Sequence, residues 1–70
     1  MKLHELMADE NNRGIVFQFT NDLNNPNTNK IKYMVVNNGI LDLNTRFDVI
    51  SVGNLINEEV ITLGHIWKYF

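Results

Sequence analysis

The nearest approach to a catalytic pattern in this chain is His4-Glu5-Leu6-Met7-Ala8. A helix that grips zinc needs two histidines at i and i+4 on one face, and Ala8 stands where the second belongs. The other histidine, His65, is distant in sequence, so the segment reads as an ordinary amphipathic helix. Asp22 and Asn24 open an oxygen-rich stretch of the kind that wraps calcium. Pro26 lies where the turn glycine is needed and Tyr33 falls at the closing carboxylate, so a polar connection is expected instead. Glu58 and Glu59 are adjacent, and in a strand they point to opposite faces, which rules out shared acid–base work on one substrate. There is no Gly-rich phosphate loop, no cysteine and no recognisable nucleophile motif. No catalytic, metal-binding or cofactor-binding residue is expected, and the chain does not read as an enzyme.

Two groups of residues point to binding. Phe17, Phe19 and Tyr33 alternate along neighbouring predicted strands, an arrangement that suits stacking of single-stranded bases and equally suits a core. Lys30 and Lys32 are a thin basic track, and a formal net charge of −2 lacks the basic face that supplies most nucleic-acid affinity. The core role is therefore expected, and nucleic acid is not an expected partner. The second group is the run Ile66-Trp67-Lys68-Tyr69-Phe70, with three aromatics beyond a glycine. Chain ends are commonly polar and frayed, whereas aromatic residues concentrate at interfaces. Met34 and Val36 add to it, because they alternate with Lys30 and Lys32 on a half-apolar strand face that is either covered by a helix or open to a partner. The candidate interaction residues are thus Ile66, Trp67, Lys68, Tyr69, Phe70, Met34 and Val36, with completion of a small core as the competing role of the terminal run.

The elements that must position these residues are punctuated by asparagine. Twelve Asn occur in 70 residues, clustered at Asn21 to Asn29 and at Asn37-Asn38. Asn tolerates left-handed backbone angles and caps its own turns, so these clusters mark loops. A chain of this length is one domain, residues 1–70, and hides only about 60% of the surface that its unfolded form exposes. Without cysteine there is no disulfide or Cys-based metal site to reinforce it, and a second copy or a partner is the remaining source of burial. The start turns acidic at Asp9-Glu10 before an apolar leader forms, and no apolar run approaches the ~20 residues of a membrane span. A soluble cytoplasmic protein is expected, with no membrane partner.

Leu3, Leu6 and Met7 lie at helical spacing over residues 2–8, and Asn11-Asn12 ends the pattern. Ile15 to Thr20 alternates as a first strand, with Ile15, Phe17 and Phe19 on the core face. After the Asn-rich loop a second strand runs from Lys30 to Val36, burying Ile31, Tyr33 and Val35. Asn37-Asn38-Gly39 predicts a hairpin with a type I′ turn. A third strand then follows from Ile40 to Leu43, burying Leu41 and Leu43. Asn44-Thr45-Arg46 is a break, and Phe47, Val49 and Ile50 form a short strand or extended connection, with Phe47 and Val49 in the core. Ser51 to Asn57 reads as one helical turn or a loop that contributes Leu55. Glu58 to Phe70 is a terminal strand that buries Ile61 and Leu63, and Gly64 marks a bulge or bend in it.

The two ends, Met1-Lys2-Leu3-His4-Glu5-Leu6-Met7 and Leu55-Ile56-Asn57-Glu58-Glu59-Val60-Ile61, resemble those of small accessory proteins encoded by phages and prophages of low-GC Gram-positive bacteria. The overlap covers about a quarter of the chain, and the closing Trp67-Lys68-Tyr69-Phe70 departs from the charged ends common there. The resemblance implies a non-enzymatic phage protein that acts by binding, either blocking a host or defence protein such as a CRISPR effector or sequestering a nucleotide signal.

The expected architecture is α+β, a short N-terminal helix packed on an antiparallel sheet of four to five strands that curls towards a barrel. The leading function is a protein–protein interaction module, a phage-encoded inhibitor that works by occlusion and forms a homodimer. The alternatives are an oligomeric sponge that holds a nucleotide signal through Asn amides, Arg13 or Arg46, and a single-stranded nucleic-acid binder.

Overall fold

The computed structural model describes residues 1–44 and 48–66, and Thr45, Arg46, Phe47 and Trp67 to Phe70 lie outside the described residues. The protein is a small α+β domain built on a five-stranded antiparallel sheet in the order β4-β3-β2-β1-β5. The strands are β1 (Ile15–Phe19), β2 (Tyr33–Val36), β3 (Gly39–Asp42), β4 (Val49–Ile50) and β5 (Val60–His65). The sheet is open, with β4 and β5 at its edges, so the expected short helix and antiparallel sheet of four to five strands are both present.

Helix α1 (Leu3–Met7) begins where the Glu5 carboxylate accepts a bond from the Lys2 backbone N–H at 3.0 Å. That bond, more than the nearby cations, holds the Glu5 carboxyl below its ordinary range. At five residues the helix is too short to persist alone, and its apolar side supplies the stability. Leu3 and Leu6 are buried in one cluster with Phe17, Phe19, Val35, Ile40 and Val60. The preceding residues are tied to the edge of the sheet. Val60 N–H donates to the Met1 carbonyl at 2.8 Å, Leu3 N–H donates to the Glu58 carbonyl at 3.0 Å, and the Met1 ammonium meets Glu59 Oε2 at 3.2 Å.

The Asn-rich connection holds an element the sequence did not suggest, since α2 (Thr20–Leu23) continues directly from β1. The turns after it are locally satisfied: Asn27 N–H donates to Asn25 Oδ1 at 2.9 Å and Ile31 N–H donates to the Thr28 carbonyl at 3.0 Å. These bonds delay β2 until Tyr33, three residues later than expected. Short 3-10 turns at Glu10–Asn12 and Gly53–Asn57 complete the connections.

The β2–β3 hairpin forms where Asn37-Asn38-Gly39 places it, but with a different turn. Val36 pairs with Gly39, so the loop is Asn37-Asn38 alone, and among the non-glycine described residues only Asn38 has a positive φ, at 63°. A type I′ turn needs positive φ at both central residues. Gly39 instead lies inside β3, where a Cβ would stand 2.7 Å from the Ile50 carbonyl oxygen and 3.0 Å from Val49 Cγ1. Its lack of a side chain lets β4 approach.

Counting Gly39 into the strand shifts the parity of β3 and of the β4 paired to it, because side chains alternate with period 2. Val35 faces Ile40, and Ile40 faces Ile50, so Ile40 is buried and Ile50 packs against the core. The expected core residues Leu41 and Val49 belong to the opposite face, and Val49 is 58% exposed. The terminal strand is also inverted, through its pairing with β1. Phe19 faces Val60, which is buried, while Ile61 is 40% exposed. Leu63 is half-buried, as are Ile31 and Leu43, and Leu55 is exposed on its 3-10 turn. The bulge expected at Gly64 is present: Phe17 faces Thr62 and Val16 faces Gly64, so Leu63 is the extra residue, and Gly64 takes φ 110°.

Candidate interaction surface

Strand β1 lies between β2 and β5 and is buried on both sides. Its inner face carries Phe17 and Phe19, which form a three-ring cluster with Tyr33. Phe17 stacks on Tyr33 at 5.9 Å between centroids, and Phe19 meets both rings edge-on at 5.5 and 5.3 Å. Phe17 is fully buried and Phe19 nearly so. These aromatics are therefore core, as weighed from sequence, and they are not a surface on which bases stack. Burial first, and then the charges of Asp22 and Asp42, push the Tyr33 hydroxyl above its ordinary value. A raised folded-state value means that the folded protein holds this proton more tightly than the unfolded chain. Its contribution to stability is present below pH ~10 and is lost as pH rises through the folded value. The melting temperature is expected to fall in alkaline titration beyond pH ~10, and Tyr33→Phe to flatten that limb.

The outer face is also apolar. Register aligns Val49, Leu41, Met34, Val16 and Gly64 in one row across all five strands. Ile61 lies beside the row on β5, opposite Gln18 of β1. Gln18 is a buried polar side chain, and it is satisfied because its Nε2 donates to the Asn29 carbonyl at 2.9 Å. The Asn-rich connection thus covers this end of the outer face. Val16 is buried, Met34 and Leu41 are half-buried, and exposure rises outward to Val49 on β4 and Ile61 on β5. Sheets with one solvated face ordinarily alternate apolar in and polar out, and this face does not.

Of the interaction residues expected from sequence, Met34 and Val36 lie on this outer face and are half-buried. Ile66 is half-buried at the end of β5, its N–H donating to the Gly14 carbonyl at 2.8 Å, and Gly14 N–H in turn donates to the Val35 carbonyl at 2.8 Å. The structure therefore brings Ile66 to the same end of the sheet as Val36. Trp67, Lys68, Tyr69 and Phe70 lie outside the described residues. Sequence reasoning missed Leu41, Val49 and Ile61 as surface residues. The two-residue turn identifies Leu41 and Val49, because it fixes the parity of β3 and through it that of β4, and the pairing of Val60 with Phe19 identifies Ile61.

His4 is exposed on α1, and the ring Nε2 of His65 lies 3.5 Å from the Asn11 carbonyl oxygen. Among the described residues no group of His, Asp and Glu assembles that would hold a metal, and no pocket opens. Arg13 is exposed, and Arg46 lies outside the described residues. No helix among the described residues is long and apolar enough to cross a membrane. Comparison with protein families, with curated proteins and with solved structures finds no match.

Proposed function

We propose that this protein is a non-enzymatic protein-interaction module that docks a partner on the outer face of its sheet. The observation that carries this reading is the apolar row Val49, Leu41 and Met34, with Ile61 exposed beside it on β5, in a sheet whose inner face already holds the core. Apolar sheet surface at an edge gains free energy from being covered, at about 25 cal/mol per Å² removed from water. The sequence resemblance of the two ends to phage accessory proteins supports the narrower form, an inhibitor that occludes a surface of a host or defence protein in the bacterial cell.

The test is retention of a bacterial partner on the tagged protein, compared with Val49→Thr/Ile61→Thr. Threonine keeps the β-branched shape and strand propensity while removing apolar surface. One stoichiometric protein retained by the parent and lost by the variant, with unchanged far-ultraviolet circular dichroism, is the expected outcome. Equal retention by both would remove the outer face from the account.

A further inference from the structure

Of the twelve asparagines, Asn38 alone precedes a glycine. That pairing carries chemistry of its own, because the backbone nitrogen of the next residue can attack an asparagine side-chain carbonyl, and glycine puts no Cβ in the way. Asn37 and Asn38 are exposed at the tip of the β2–β3 hairpin, Asn38 with φ 63°, whereas Gly39 is buried. The ladder decides where the Gly39 N–H points. Leu43 N–H donates to the Lys32 carbonyl at 3.0 Å and Asp42 N–H to the Asp48 carbonyl at 3.1 Å, so β3 turns alternate residues to β2 and to β4. Gly39, four residues before Leu43, therefore turns its N–H to Val36, its partner across the turn. On the other side β4 closes over it, with the Ile50 carbonyl and Val49 Cγ1 leaving no room for a Cβ.

We infer that Asn38-Gly39 is a self-modification site held shut by the folded hairpin, at which Asn38 converts to aspartate and isoaspartate when β3 parts from β2 at the turn. The Gly39 nitrogen gives its proton to hydroxide and bonds to Asn38 Cγ. The side-chain nitrogen leaves as ammonia, and a cyclic imide remains. Water then opens the imide on one side or the other. Breaking the bond from the Gly39 nitrogen to Cγ gives aspartate with the main chain unchanged. Breaking its bond to the Asn38 carbonyl carbon gives isoaspartate, whose main chain runs through Cβ and Cγ. One water is consumed and one ammonia released, with nothing oxidised or reduced. In the folded chain the attacking nitrogen is committed to Val36, and reaching Cγ means giving up that bond. The products differ in consequence. Aspartate tolerates the left-handed angles of position 38. Isoaspartate adds one backbone carbon to a turn whose length sets the parity of β3, so Val36 and Gly39 no longer meet as its closing pair.

The experiment incubates the full chain at mildly alkaline pH, in buffer and in guanidinium chloride above its unfolding midpoint, and follows each asparagine by peptide mass spectrometry. The mass gain of amide to acid is expected first at residue 38, and about tenfold faster in denaturant, which corresponds to about 1.4 kcal/mol of hairpin opening. Ile50→Ala, which loosens β4 from Gly39 and Ile40, speeds the reaction in buffer, whereas Ile61→Thr on the opposite edge does not. Val49→Ala, at an exposed site, gives a smaller acceleration and serves if Ile50→Ala fails to fold. Asn38→Asp keeps the denaturation midpoint, and chains carrying isoaspartate at 38, separated by chromatography, have a lower one. Conversion as fast in buffer as in denaturant would overturn the gate. Earlier conversion at another asparagine, or none at residue 38 in either condition, would overturn the site, and an unchanged midpoint in the isoaspartate chains would overturn its effect on the hairpin.

Discussion

Replacing Phe17 by Ala is expected to remove about half of the protein's folding free energy. The side chain is fully buried at the centre of the sheet, in ring contact with both Phe19 and Tyr33 and in one cluster with Leu3 and Leu6 of α1. Truncating a buried phenylalanine costs about 3–5 kcal/mol, the lost transfer energy plus the cavity left behind. A domain of this size has roughly 4–10 kcal/mol in total. Phe17→Leu retains much of the volume and is expected to fold with a lowered denaturation midpoint. Chemical denaturation followed by circular dichroism reads both. A Phe17→Ala variant with an unchanged midpoint would show that the three-ring cluster is not the centre of the core.

The second large effect separates two neighbours on β3. Ile40→Ala is expected to cost about 2–5 kcal/mol, because Ile40 is fully buried between Val35 and Ile50. Leu41→Ala is expected to cost less than half as much, since Leu41 is half-buried on the outer face. The ordering is diagnostic because a one-residue slip of the hairpin exchanges the two positions. Equal costs, or a greater cost at Leu41, would contradict the register that Val36 and Gly39 set.

Much of this fold was legible in the sequence. The pattern of α1, the alternation of β1, the hairpin at Asn37-Asn38, the turn before Glu58 and the bulge at Gly64 follow from spacing and turn chemistry. The parity of β3, β4 and β5 was not legible. A two-residue loop sets Ile40 on the face of Val35 whether Asn37-Asn38 or Asn38-Gly39 fills it, whereas a three-residue loop, Asn37 to Gly39, sets Leu41 there. What decides between them is the approach of Ile50 to Gly39, a contact made only after β4 has paired. In β5 both alternating sets are apolar, so period 2 alone cannot choose the buried one, and the pairing of Val60 with Phe19 does. Helix α2 was hidden because a four-residue turn of Thr, Asn, Asp and Leu carries the residues of a loop. The outer face is half visible, as Met34 and Val36 alternating with lysines, and the parity read from sequence sets Leu41, Val49 and Ile61 in the core instead.

The most direct measurement of the central claim is photo-crosslinking in bacterial lysate from two exposed positions, 49 on the outer face and 4 on α1. The account predicts that a probe replacing Val49 joins the chain to one defined protein, while a probe replacing His4 does not. Crosslinking of that protein from position 4 alone, or no specific adduct from either position, would contradict it.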